Sequence, residues 1–140
     1  METEPKLIDQ YVRTGKARLI YRHLLQLGSG SLALGEASEC AGAQGQFWVA
    51  RALIYREQNQ LAPGDMKALQ PLITELGLDS TKFQQCLEGH QFQKQVEDDY
   101  NASKREGITS RPVLTIGNRR FVGSLPLSTY QQALDAAGSS

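Results

Sequence analysis

The chain has 140 residues, with 15 basic against 15 acidic and 40% hydrophobic. That length suits one ordinary domain with its own core, and balanced charge argues against a nucleic-acid binder, which carries a basic excess. No apolar run approaches the roughly 18 residues a membrane helix needs, and the acidic, polar start is unlike a secretory signal, which opens basic and turns apolar.

Residues 6–13 read as a short helix, because Leu7, Ile8, Tyr11 and Val12 recur at helical spacing. Gly15 then supplies the left-handed position that closes a helix. Residues 17–25 read as a strand, with Leu19, Tyr21 and His23 alternating against Ile20 and Arg22. The stretch Gly28-Ser29-Gly30-Ser31 reads as a loop.

From about Leu32 to Gln58 the pattern is helical, with Ala37, Ala41, Trp48, Ala52 and Tyr55 on one face. Trp48 and Tyr55 are therefore expected in the core. Gly42 and Gly45 weaken this helix, and a turn or kink is expected near Gly45. Pro63-Gly64 marks a turn. A helix over 65–76 follows, with Asp65 as a plausible N-cap, Pro71 as a break or kink and Gly77 as its end.

Asp79 or Ser80 caps a short helix running to Glu88, with Phe83 and Leu87 one turn apart. A further helix covers 91–106, with Phe92, Val96 and Tyr100 on one stripe and Gly107 closing it. Residues 112–116 and 119–123 then form a β-hairpin about Gly117-Asn118, two positions that tolerate positive φ. Pro126 opens a last helix with Tyr130, Ala133 and Leu134 facing inward.

The cysteines Cys40 and Cys86 form no Cys-x-x-Cys motif and no zinc quartet. By themselves they read as a pair of buried thiols. His23 and His90 match no metal spacing and read as ordinary histidines, so no metal or cofactor is expected.

This order of elements, with three particular segments, resembles the DsbA-like branch of thioredoxin-fold proteins. Residues Tyr11 to His23 resemble the family's first-helix exit and following strand. Residues Glu39 to Trp48 resemble the start of its helical insertion, and Gly107 to Gly123 its cis-proline loop and terminal hairpin. The related glutathione-transferase-like branch matches the first two segments less well.

The resemblance implies an α/β, thioredoxin-like fold over residues 1–140 as a single domain, with a helical insertion at about 31–106. It also implies that the family's first strand, the start of its first helix and its Cys-x-x-Cys pair are missing. The implied activity is thiol–disulfide exchange on cysteine-containing polypeptides with a redox partner. No residue present is expected to be catalytic, so the 140 residues are expected to be inactive. An extracytoplasmic setting is expected for a full-length member. The resemblance further implies that Arg111-Pro112 is a cis, substrate-contacting loop, although a proline opening a strand is ordinarily trans. Arg111 departs from the family, which usually has a small or β-branched residue there. Finally, Cys40 and Cys86 correspond to a structural disulfide carried by some members; free buried thiols remain the alternative.

A sheet lacking its middle strand leaves unpaired N–H and C=O groups on two inner edges. Three remedies are open: a longer natural chain, direct pairing of the two edges, or a strand given by another chain, including a homo-oligomer. A non-catalytic polypeptide-binding or self-associating module is the alternative function.

Overall fold

The protein is described by a computed structural model covering residues 2–24, 29–57 and 67–139. It is mostly helical. The elements are α1 (Thr3–Leu7), a single π turn (Ile8–Val12), α2 (Ser29–Gly42), α3 (Phe47–Glu57), α4 (Gln70–Glu75), α5 (Ser80–Glu88), α6 (Gln93–Arg105), β1 (Val113–Ile116), β2 (Arg119–Val122) and α7 (Leu127–Gly138). The chain divides into two compact units. One is formed by Met1–Tyr21 with Lys104–Ser140, the other by Arg22–Ser103.

The first unit joins the two ends of the chain. Its core holds Leu7, Tyr11, Phe121, Tyr130 and Ala133, with Ala17, Leu114, Ile116 and Leu134 packed against it. The inward face read for α7 is therefore the one that packs. Tyr11 Oη donates to Asp135 Oδ1 at 2.9 Å, and Gln131 Nε2 donates to Gln10 Oε1 at 2.7 Å. Burial comes first, and the Asp135 carboxylate second, in raising the Tyr11 phenol above its ordinary pKa. Tyr130 Oη donates to Gly123 O at 3.1 Å, tying α7 to the end of the hairpin.

The hairpin pairs Val113 with Val122, Leu114 with Phe121, Thr115 with Arg120 and Ile116 with Arg119, antiparallel. Of the two turn residues, Gly117 alone has positive φ, at 60°. A positive angle at the first turn position only is the type II′ arrangement, so Asn118 is not asked to adopt the left-handed region.

The expected strand over 17–25 does not form in residues 17–24; Leu25 lies outside the described residues. Among the described residues the sheet has two strands. The alternation nevertheless persists: Arg18 and Ile20 are exposed, while Ala17, Leu19 and Tyr21 are half-buried. The side-chain pattern of a strand is present. What a ladder additionally requires is a neighbouring backbone, and none is supplied among the described residues.

The second unit is helical. Its core gathers Ala37, Cys40 and Ala41 of α2, Ala50, Leu53 and Ile54 of α3, Leu69, Leu72 and Ile73 at α4, and Phe83 and Cys86 of α5. The expected long helix is two helices, separated at residues 43–46, where Gly45 has φ 79°. A Cβ on Gly42 would meet Phe47 Cβ at 3.1 Å, so this corner is tight. The break resets the helical phase. Trp48 and Tyr55 consequently lie 43% and 47% exposed instead of in the core, and Ala50, Leu53 and Ile54 take the inner positions.

Two other expectations change. Ser29–Ser31 belong to the first turn of α2 and not to a loop; Gly28 lies outside the described residues, as do Pro63-Gly64 and Asp65. Pro71 does not kink a helix, because it sits in the first turn of α4, where no backbone donor is needed. Asp79 caps α5 as read, its Oδ1 accepting from Lys82 N at 3.0 Å.

Candidate functional site

The loop before the hairpin lies in the first unit. Gly107, with φ 71°, turns the chain out of α6, and the Arg111–Pro112 peptide bond is cis. The loop is tethered at both ends. Arg120 Nη1 donates to Glu106 O at 2.7 Å, and Gly123 N donates to Pro112 O at 2.8 Å. Arg111 is exposed and Pro112 half-buried. The sequence reading singled out the Arg111-Pro112 pair but missed its brace, Glu106 with Arg120. The available signal was the second of two adjacent arginines on a strand, which faces opposite to the first.

Hairpin parity fixes which backbone groups are free. Antiparallel strands exchange hydrogen bonds at every second pair. Since Pro112 O accepts from Gly123 N, the bonded pairs are those of Leu114 with Phe121 and Ile116 with Arg119. The N–H and C=O groups of Val113 and Thr115 therefore face away from β2. Among the described residues they bond to no other backbone group, and neither do those of Arg18, Leu19 and Ile20.

Cys40 and Cys86 lie in the second unit. They are joined, with an S–S distance of 2.04 Å and a Cα–Cα distance of 5.9 Å, and are 1% and 4% exposed. Both cysteine sulfurs are thus closed and buried, and no thiolate is available as a nucleophile. A shallow hollow bordered by Gln44, Lys82, Gln85 and Gln91 lies beside the pair.

Two contacts around α2 escaped the sequence reading. Buried His23 donates from Nε2 to Glu39 Oε1 at 2.7 Å, while its own backbone N–H donates to Asp99 Oδ2 at 3.1 Å. The edge of Phe47 meets the His23 ring at 6.3 Å between centroids. His90 Nδ1 reaches Glu36 Oε1 at 3.0 Å, with the His90 side chain 62% exposed and that of Glu36 only 6%. Both histidines of the sequence thus engage carboxylates one helical turn apart. The clue lay in Glu36 and Glu39 at i, i+3 among small and apolar residues, where an inward carboxylate requires a partner.

A family model described as thioredoxin matches residues 1–136. The chain belongs to the DsbA-like thioredoxin family. Within it, the match takes in the hairpin, the Arg111-Pro112 loop and the whole helical unit. A curated relative from Salinispora arenicola (strain CNS-205), named Na(+)/H(+) antiporter NhaA 1, is 24% identical over 138 residues. That alignment covers 97% of this chain and 21% of the relative, so the chain spans about one-fifth of that relative's length. No helix among the described residues is long and apolar enough to cross a membrane.

Proposed function

We propose that this thioredoxin-family chain is the polypeptide-contacting body of a DsbA-like protein thiol–disulfide oxidoreductase, and that its redox cysteines come from polypeptide outside these 140 residues. In that exchange, a thiolate bonds to one sulfur of a substrate disulfide while the other sulfur leaves as a thiolate. A second thiol of the enzyme then attacks the mixed disulfide and releases the substrate. Both steps require a paired, accessible thiol. The observation that carries the reading is the family match over residues 1–136 combined with two cysteines that are already bonded to each other and buried.

In the finer form of this reading the fold is thioredoxin-like, with Arg22–Ser103 as its helical insertion. Arg111 and Pro112 contact the substrate from the loop beside the open edge of β1. The ion exchange named for the Salinispora relative is not carried over, because the similar stretch is one-fifth of that protein.

The reading is tested in two ways. The 140-residue chain should leave the reduction of insulin by dithiothreitol at its background rate. Turnover above background that persists in a Cys40→Ala, Cys86→Ala double variant would place the active site elsewhere. Secondly, the genomic codons upstream of Met1 should encode a strand and a Cys-x-x-Cys pair in frame; an in-frame stop directly upstream removes the proposal. The second reading, a non-catalytic module that binds polypeptides or pairs with itself, is favoured by the unbonded backbone at β1 and Arg18–Ile20.

A further inference from the structure

Helix α3, in the helical unit, has two apolar faces. Ala50, Leu53 and Ile54 point into that unit's core. On the other side Trp48, Val49, Ala52 and Tyr55 are exposed. Among the described residues the exposed large hydrophobic side chains are these three larger ones with Ile20 and Val122, so no other element concentrates apolar surface in this way. Arg51 holds the outer face in shape. Its guanidinium carbon lies 5.8 Å from the centre of the Trp48 ring and 5.0 Å from that of Tyr55. Trp48, Ala52 and Tyr55 follow the four-then-three spacing by which one helix seats against another. A strand, with its two-residue repeat, does not match that stripe.

We propose that this face pairs with the same face of a second copy, the two α3 helices antiparallel and Trp48 of each seated over Ala52 of the other. The inference stands apart from the redox reading. Shape supports it first. Two rings flank one alanine, so a copy turned end for end brings a ring to each alanine notch, large against small. Tyr55 then falls opposite the corner at Gly45 of the second copy, where a Cβ on Gly45 would meet nothing within 4 Å. Charge selects the direction. Arg56 stands at the end of the stripe, and a parallel pair would set it against Arg56 of the other copy; an antiparallel pair keeps the two cations at opposite ends. Size sets the strength. The 11 residues of α3 span about 16 Å. One face of that length buries less than the roughly 800 Å² per partner of a standard stable interface, so the dimer is weak and concentration-dependent.

The test uses the full chain. Trp48 is the single tryptophan of the sequence, so its fluorescence reports on this face directly. As the chain is raised from micromolar to millimolar concentration, emission should move to shorter wavelength. The mass from sedimentation should rise toward double with the same midpoint. Ala52→Glu should weaken the association at least tenfold, while Val122→Glu, at an exposed apolar position of the other unit, should leave it unchanged. Exchanging sizes tests the register. Trp48→Ala leaves alanine against alanine, and Ala52→Trp sets ring against ring, so each variant alone should associate at least tenfold more weakly. Mixed in equal amounts they should regain association, because a ring again meets an alanine at both contacts. A misfolded variant cannot produce that recovery.

A chain that stays monomeric at millimolar concentration overturns the proposal, as does a mixture of the two size variants no heavier than its separate parts. Association that survives Ala52→Glu but is lost in Val122→Glu assigns pairing to another surface and overturns it. Emission that shifts only when phosphatidylcholine vesicles are added gives the face to a lipid surface, and overturns it too.

Discussion

The two units satisfy their backbones in different ways. Arg22–Ser103 is built of helices, and a helix completes most of its hydrogen bonds within its own segment. It then closes itself covalently through Cys40 and Cys86. The unit made of the chain ends rests instead on a four-residue hairpin pairing, and Arg18–Ile20 make no backbone–backbone hydrogen bond among the described residues. A two-stranded sheet is marginal without further packing, and here α1, the π turn and α7 provide it. The lesson is that helices close their hydrogen bonds within themselves, whereas a two-stranded sheet leaves outward backbone groups open along its edges.

The sharpest way to break this comparison is to remove the covalent closure. A Cys40→Ala, Cys86→Ala double variant releases a link across a sequence separation of 46, which on the chain-entropy model costs about 4 kcal/mol. Urea unfolding should show that loss. Amides of α2 and α5 should exchange faster while those of Leu114 and Phe121 hold their rates. Uniform acceleration across both units would show that they unfold as one body.

A smaller effect belongs to the α5 cap. Asp79→Ala removes the acceptor for Lys82 N and should cost about 1 kcal/mol, read as a lowered urea midpoint with an unchanged slope. The change should again be felt in the helical unit first.

The smallest is confined to alkaline solution and tests the other unit. Burial, followed by the bond to Asp135, raises the Tyr11 phenol. An acid whose folded pKa is raised favours its neutral form in the fold. Its contribution is therefore complete below the ordinary phenol pKa of about 10 and is lost as pH climbs through the raised value. Tyr11→Phe should flatten the fall in thermal midpoint as pH rises above about 10. An equal fall in both proteins would deny Tyr11 that part.

Much of the fold was legible because periodicity and punctuation agreed. Gly107, Gly117 and Asp79 stand where their backbone chemistry demands, and Tyr130 and Ala133 face inward as their spacing requires. The misses have physical causes. Alternation at 17–24 reports which side chains face the core, but a strand also needs a partner backbone, which lies outside local sequence. Trp48 and Tyr55 were assigned to the wrong face because one helical phase was carried through Gly45, where the chain turns. At the candidate site, Arg111 and Pro112 were found through family resemblance. The Glu106–Arg120 brace and the two histidine–glutamate contacts join residues 14, 16 and 54 positions apart, beyond any local pattern.

The bond from α2 to α5 has one practical result for anyone handling the protein. It spans α3 and α4 in sequence, so a protease that cuts once anywhere between Cys40 and Cys86 leaves two fragments still joined. Such nicked material runs as one species on a non-reducing gel and separates into two only after thiol treatment. Apparent intactness without reductant is therefore no measure of an unbroken main chain.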